Sequence, residues 1–292
     1  MPPLGNDVKG VKNVNRTLIA CAMAAVCVMA AAAAPEQTDT EQLRHGCRFI
    51  PTKSYSAEDD AALLVLFNGL RVTDVVDAMD KVGLTNVGIM DPEIHSVWRD
   101  TEHFTHRFIG IAVTVRYVPT NKPHAPAMDA EPFNDWVDKW YTELSPEPFA
   151  PLIRPGTALI FDEAPDADVG SIGSNNIMAW RARGCVGVVT GATARDTDEV
   201  AAEKMPLYVR KPGRGIRPGR NEIESVNLPV VCGGVLVEPG DVIVADGDGV
   251  VAIPRAKAAE VSEFAKAVLD SDKKGRRALY KRLGLPEDDS VK

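Results

Sequence analysis

The sequence predicts an α/β protein, and three patterns lead to this prediction. Alternating apolar residues from Phe108 to Tyr117 indicate a strand. Apolar residues recur at helical spacing from Val72 to Val82, which is typical of a helix with one buried face. From Thr157 to Thr190 the chain reads as strand, helix and strand, and a β-α-β unit requires parallel pairing across a helix. With 292 residues, 45% apolar and 25% charged, the composition is that of a globular protein.

Residues 1–34 are predicted to be a secretory signal peptide. Basic residues precede an uncharged run from Thr17 to Ala34, which ends in alanines before Pro35. This run is short and rich in alanine for a spanning helix, so we expect no stable membrane span after processing. The protein is therefore expected to be exported, either periplasmic or secreted. A lipoprotein cleaved at Cys21 is the alternative, and a polar segment, residues 35–55, follows.

The first half of the mature chain contains two predicted helices and one strand. Ser56 is expected to cap a helix from Ala57, with Asp59 completing a capping box, and a second helix starts near Thr73. Asp74 and Asp77 are interpreted as the solvated face of that second helix. Prolines and scattered aromatic residues fill residues 118–155, so we expect a surface excursion with one short helix there.

The second half has a more regular pattern. A strand at 157–162, a helix at 175–183 and a strand at 186–190 are followed by four short strands, at 230–232, 235–237, 242–245 and 250–253. Tight turns between these four strands predict a meander. A closing helix runs from Arg255 to about Leu269, and residues 271–292 are expected to be a charged, peripheral tail.

Charge and cysteine content restrict the classes of partner. A formal net charge of −8 and an isoelectric point near 5.2 repel phosphate backbones, so no nucleic-acid partner is expected. One basic run, Arg210 to Arg220, could bind a polyanion, but without interleaved aromatic residues it is better explained as an exposed loop or subunit contact. Cys185 and Cys232 are expected to be small core residues.

The segment from residue 173 to residue 196 contains the most informative motif. It begins with Gly173-Ser174-Asn175-Asn176, passes through Gly184 and Gly187, and closes with Arg195-Asp196. This order, a glycine at a helix start, a glycine-ended helix, a strand and then Arg-Asp, resembles the family of 4-hydroxy-4-methyl-2-oxoglutarate aldolases, oxaloacetate decarboxylases and the regulator of ribonuclease activity A. The similarity covers most of residues 70–270, apart from the proline-rich excursion.

The resemblance implies a fold, an assembly and an activity. The fold would be a layered α/β/β/α "swivelling" domain with mixed sheets, here over residues 56–270. It would assemble as a homotrimer or homohexamer, with sites near subunit interfaces. The activity would be that of a lyase dependent on Mg²⁺ or Mn²⁺ and acting on a small 2-oxo acid. The alternative within the same family is a non-catalytic binding or regulatory protein with an exported partner.

Cleavage of a carbon bond next to a 2-oxo acid leaves a pyruvate enolate. A site must hold the carboxylate and spread the new negative charge, and these two needs assign the residues. Gly173, Ser174 and Asn175 lie at a helix start, where free backbone N–H groups receive a carboxylate. Arg195 offers a planar cationic fork for the substrate and the enolate, so it is the predicted catalytic residue. Asp196 is the predicted ligand of a metal that retains most of its waters.

Two departures from the family pattern remove carboxylates. Gly191 and Ala192 replace the Asp-Gly of the pattern, and Ser174 stands where many aldolases have an acid. The loss removes a candidate proton-transfer group, so the sequence identifies no general acid or base.

Other candidate sites are less well supported. The spacing of His103 and His106 could hold zinc on a helix, but the surrounding pattern indicates loop and strand, so surface histidines are expected. Asp241, Asp246 and Asp248 lack the spacing of a calcium loop and are explained by turn chemistry.

Overall fold

The computed structural model describes residues 44–123, 125–165 and 168–292, so the predicted signal peptide and Cys21 lie outside the described residues. Residues 50–292 form one structural unit. Its helices are α1 (Ala57–Phe67), α2 (Val72–Lys81), α3 (Ala130–Glu143), α4 (Ser174–Ala182), α5 (Thr197–Ala202) and α6 (Arg255–Leu283). No helix of the described residues is both long enough and apolar enough to cross a membrane.

Eight strands form one mixed sheet, and two form a separate hairpin. The strands are β1 (His95–Ser96), β2 (Phe108–Pro119), β3 (Thr157–Asp162), β4 (Cys185–Ala194), β5 (Leu207–Pro212), β6 (Asn221–Val226), β7 (Val230–Cys232), β8 (Val235–Val237), β9 (Val242–Asp246) and β10 (Gly249–Ile253). The main sheet has the order β1-β5-β4-β3-β2-β9-β10, β6 also pairs with β2, and β7 pairs with β8. The predicted α/β class is confirmed.

Parallel pairing from β2 to β5 positions the site. β3 pairs in parallel with both β2 and β4, and α4 makes the connection between β3 and β4, as the β-α-β pattern predicted. Parallel strands end at the same edge of a sheet, so Asp162 and Ala194 finish their strands on one side. The register of β4 against β5 shifts between Thr190 and Thr193, and this irregularity lies just before the Arg195-Asp196 pair.

An aromatic cluster fills the core beneath α4. Phe161 stacks on Trp180 with ring centroids 5.5 Å apart, and Phe149 contacts both rings edge-on at 5.6 and 5.5 Å. Phe149 lies in the proline-rich excursion and is fully buried, as is most of Trp140 in α3. The excursion does contain a helix, but it supplies core side chains, so the prediction that it is confined to the surface is wrong.

A second cluster holds α1, α2 and α6 against β9 and β10, and here local signals were reliable. The predicted capping box at the start of α1 is present, since Asp59 N–H donates to Ser56 Oγ at 3.0 Å and Ser56 N–H donates back to the Asp59 carboxylate. The prediction of a solvated face is right for Asp77, which is exposed, and wrong for Asp74, which is 1% exposed and accepts a bidentate bond from Arg71. A carboxylate can be buried here because a guanidinium neutralises it.

Three further differences concern the second half. Strands β5 and β6 were not predicted, because their short apolar stretches are interrupted by charged residues. β8 and β9 lie in different sheets, so the four short strands form two hairpins and no continuous meander. Helix α6 continues to Leu283 and ends at Gly284 in a left-handed conformation, and the tail folds back to bury Val291. The tail is therefore mostly helix.

Candidate active site

The loop after β4 lies against the start of α4. Ala194 ends β4, and Asp196 adopts a left-handed backbone (φ 56°) directly before α5. Ser174 N–H donates to Asp196 Oδ2 at 3.2 Å, and Arg195 N–H donates to the Ile172 carbonyl at 2.8 Å. The structure thus brings together the predicted substrate-binding segment and the predicted metal ligand, which are 22 residues apart in the chain.

The side chains of Arg195 and Asp196 are side by side and accessible. Nε of Arg195 lies 3.6 Å from Oδ2 of Asp196, and the two side chains are 37% and 35% exposed. An ion pair this exposed contributes little to the free energy of unfolding. Its position at the carboxyl end of a parallel strand, next to a helix start, is where α/β proteins bind ligands.

Two glycines make room for this pair. A Cβ on Gly173 would lie 2.6 Å from Asp196 Oδ2 and 3.4 Å from Arg195 Nε, and a Cβ on Gly170 would lie 2.7 Å from the Cβ of Arg195. Gly173 has φ −130°, which any residue can adopt. The glycine is therefore required for space and not for backbone freedom.

Gly173→Ala should lower the free energy of unfolding by about 1 kcal/mol, because the new methyl group displaces the carboxylate that caps Ser174. Chemical denaturation at constant protein concentration measures the change. Gly275→Ala is the matched control: no atom lies within 4 Å of its Cβ position inside α6, so it should raise stability by about 0.5–1 kcal/mol. Unchanged stability in Gly173→Ala would contradict the observed cap.

Two backbone N–H groups at the start of α4 have no hydrogen-bond partner within the helix. The first intrahelical bond runs from Ile177 N–H to the Gly173 carbonyl at 3.1 Å, and Asp196 occupies Ser174 N–H. The N–H groups of Asn175 and Asn176 belong to the first turn, whose donors have no partner within the helix. Because the helix dipole adds positive potential there, this end can receive an anion.

Glu147 anchors α4 from the proline-rich excursion. Its carboxylate accepts bonds from Asn176 Nδ2 at 2.6 Å, Trp180 Nε1 at 2.9 Å and Arg217 Nη2 at 2.8 Å. Arg217 is only 5% exposed and also donates to the Tyr117 hydroxyl at 2.6 Å. This network fixes the helix that carries the candidate anion site, and sequence reasoning did not find it.

Glu163 is a second carboxylate that sequence reasoning missed. It follows the last residue of β3, is 8% exposed, accepts a hydrogen bond from the Ser171 hydroxyl, and has a buried Oε1 without a partner among the described residues. Burial raises the pKa of Glu163 from 4.5 to about 7, although the Ser171 bond and the nearby Arg217 charge oppose the change. The sequence feature that could have identified Glu163 is its position at the carboxyl end of a predicted parallel strand.

The histidine and calcium alternatives are not supported. His106 is 3% exposed, so the expectation of a surface position is wrong for this residue, whereas His103 is exposed and contacts Asp289. Burial lowers the pKa of His106, and the charges of Arg107 and Arg99 lower it further.

Within the described residues no three His, Cys, Asp or Glu side chains are grouped so that they could hold a metal ion. Asp246 accepts the Val72 N–H at 2.9 Å and so caps α2.

The basic run is more ordered than predicted. Arg210 lies in β5 and pairs with Asp91 at 2.9 Å, Arg214 pairs with Asp168 at 2.6 Å, and Arg217 is the buried partner of Glu147. The exposed-loop interpretation is therefore wrong for Arg210 and Arg217. Acidic partners neutralise all three charges, which weakens the case for a polyanion site.

Comparison with known proteins identifies the family. The family model described as "RraA-like: Aldolase/RraA" matches residues 72–252, a range that includes both α4 and the Arg195-Asp196 pair. The chain belongs to this family. The resemblance expected from the Gly173 to Asp196 motif is thereby confirmed.

Curated relatives match this RraA-like chain over part of their length. A protein of Halalkalibacterium halodurans named "Putative 4-hydroxy-4-methyl-2-oxoglutarate aldolase" is 31% identical over 126 residues, 43% of this chain and 59% of the relative. An uncharacterized protein of Methanocaldococcus jannaschii is 35% identical over 105 residues, 35% of this chain and 49% of the relative. The matches thus span about half the length of these relatives.

Solved structures share the RraA-like fold at low identity. An uncharacterized Pseudomonas syringae pv. tomato protein is 24% identical with a TM-score of 0.56, and covers 82% of this chain and 97% of its own. Streptomyces coelicolor RraAS2, described as an unusual member of the RNase ES inhibitor RraA protein family, is 20% identical with a TM-score of 0.59, and covers 77% and 99%. At these identities the likeness establishes the mixed α/β fold alone.

Proposed function

We propose that this protein is a divalent-metal-dependent lyase that cleaves a small 2-oxo acid, of the pyruvate aldolase or oxaloacetate decarboxylase type. The observation that carries the proposal is the meeting of Arg195, Asp196 and the start of α4 at an accessible edge of the sheet. A cation, a carboxylate and free backbone donors are the groups that enolate chemistry requires. The family includes aldolases, which agrees with this chemistry.

Each part of the site has a role in this mechanism. The substrate carboxylate binds at the start of α4 beside Gly173 and Ser174, where it accepts hydrogen bonds from the free backbone N–H groups of Asn175 and Asn176, because Asp196 already occupies the Ser174 N–H. The Arg195 guanidinium stabilises the charge that develops on the enolate oxygen, because its planar fork matches two neighbouring oxygens. Asn176, held by Glu147, has its Oδ1 directed towards the space beside Gly173 and can orient a water molecule.

Asp196 suits a Mg²⁺ or Mn²⁺ ion. Its Oδ2 faces Ser174 and Arg195, and among the described residues no hydrogen bond engages its Oδ1. A single free carboxylate oxygen fits a hard cation that retains most of its water ligands. When bound there, the ion would polarise the 2-oxo group as a Lewis acid.

Proton transfer in this mechanism cannot use the acids of the family pattern at positions 174 and 191. Gly191 lies against the hairpin, where a Cβ would be 3.2 Å from the Gly233 nitrogen, so an aspartate would not fit without movement of that backbone. Glu163 is the buried carboxyl group with a pKa near 7 close to this edge, linked through Ser171 to the segment that precedes α4. We propose that the Glu163 carboxyl group gives and takes the proton in this mechanism.

The second candidate function is that of a non-catalytic binding protein, as in the ribonuclease-regulator branch. In the described part of the chain Asp196 belongs to no group of three or more His, Cys, Asp or Glu side chains that could hold a metal ion, and this observation favours a binder. We propose export in either case, so a binding partner would itself be exported. We also propose a homotrimer or homohexamer, to be tested by mass measurement in solution.

Pyruvate release from a panel of 2-oxo acids, including oxaloacetate, tests the lyase proposal with the purified protein. We expect turnover of at least one substrate with Mg²⁺ or Mn²⁺, and loss of that turnover after chelation and dialysis. A folded protein that releases no pyruvate from any substrate with either ion would favour the binding function.

A further inference from the structure

A cavity opens at the opposite edge of the sheet from the candidate active site. Its volume is about 620 Å³, and it lies where β2, β4 and β5 begin. β4 has ten residues, so its two ends are about 30 Å apart, with Cys185 at the cavity and Ala194 at the active site. The lining residues are Thr105, Arg107, Phe108, Arg181, Val186 and Lys204, together with residues 109, 185, 205 and 206.

Three cationic side chains line this cavity, and no acidic side chain does. Arg181 Nη1 donates to the carbonyl of Glu203, the residue before Lys204, at 2.7 Å. Among the described residues none of the three cations lies within 4.0 Å of a carboxylate oxygen. A chain with a net charge of −8 has ample acids to pair them, so three cations in one cavity without an ion pair are unusual.

Arg107 is the least satisfied of the three. Its guanidinium carbon lies 3.9 Å from the ring centroid of Phe104, and its Nε is buried without a hydrogen-bond partner in the described chain. Burial lowers the pKa of Arg107, and the charge of Asp246 opposes the change only in part. A buried donor without a partner is costly, so an anion that draws the guanidinium towards the cavity would let Nε form the hydrogen bond it lacks.

The remaining walls are apolar and chemically inert. Ile109 and Val186 supply partly exposed hydrocarbon surface beside the cations, with the buried Phe108 and Met205 behind them. Cys185 also lines the cavity, and burial raises the pKa of its thiol to about 12, so the thiol remains neutral. The combination of apolar walls with a few convergent polar groups is typical of small-molecule sites.

We propose that this cavity binds a small organic anion with an apolar body and a carboxylate, sulfonate or phosphate head group. The head group contacts Arg107, Arg181 and Lys204, and the body lies on Ile109 and Val186. This site is separate from the candidate active site and does not depend on the proposed lyase function.

Fluorescence titration with 8-anilinonaphthalene-1-sulfonate tests the proposal on the full protein. The neutral analogue N-phenyl-1-naphthylamine keeps the apolar body and lacks the sulfonate. We expect the sulfonate to bind at least about tenfold more tightly than the neutral analogue, and Arg107→Gln/Lys204→Gln to weaken the sulfonate by a similar factor. Arg181→Gln alone gives the same readout if the double variant does not fold.

Two controls localise the binding. Lys257→Gln/Arg282→Gln removes the same charge from exposed positions of α6, and Arg195→Gln removes the cation of the candidate active site; neither should change the affinity. Equal binding of both probes, or equal weakening by the control variants, would overturn the proposal. So would a change in oligomeric mass in Arg107→Gln/Lys204→Gln without a change in probe affinity, because the cavity would then be a contact between copies.

Discussion

Asp196→Asn should lower metal-dependent pyruvate release on the order of 10²-fold while leaving the fold intact. The asparagine oxygen can still accept the Ser174 N–H bond that now measures 3.2 Å, so α4 keeps its cap. The lost charge removes the carboxylate that a hard cation prefers. Steady-state assays at saturating substrate over a range of Mn²⁺ concentrations measure the loss, and thermal unfolding checks the fold.

Asp198→Asn is the matched control for this experiment. Asp198 is an exposed acid in the first turn of α5, two residues from Asp196, so its substitution makes the same charge change outside the site. Equal loss of activity in both variants would show that overall charge, and not a metal ligand, is responsible. If the parent protein releases no pyruvate from any substrate, it is the lyase proposal that fails.

Glu163→Gln should stabilise the protein at pH 8 and change little at pH 5. The carboxyl group has a pKa of about 7 in the folded protein against 4.5 when unfolded, because burial disfavours its charge. The folded state therefore binds the proton more tightly, and stability falls as the pH rises from about 4.5 to about 7. The difference between these values corresponds to a loss on the order of 3 kcal/mol.

The neutral glutamine avoids this loss and can still accept the Ser171 bond. At pH 8 the variant should unfold about 6–12 °C above the parent, and at pH 5 the two midpoints should nearly coincide. Glu224→Gln in β6 is the control, since this glutamate is exposed and its substitution should give the same small difference at both pH values. A Glu163→Gln effect independent of pH would contradict a buried carboxyl group that titrates near neutrality.

The sequence alone determined the local features and the family. The capping box at Ser56, the strand from Phe108 and the β-α-β unit after Thr157 each depend on side chains within a few positions of one another. Helix caps and apolar periodicity act over this range, so they can be read from a single chain. The motif from Gly173 to Arg195-Asp196 could also be recognised from the sequence. Its residues were expected to lie together, because one part is at a helix start and the other follows a parallel strand.

Only the tertiary structure decided which charged residues are buried. Asp74, Glu163 and Arg217 were predicted as solvated or not considered, yet all three are nearly inaccessible. A charge can leave water only where a partner or hydrogen bond compensates it, and Arg217 finds Glu147 70 residues away. Such partners are set by the packing of distant segments, which local spacing does not encode. The same reason explains why the cation-lined cavity at Arg107 became visible only in the folded protein.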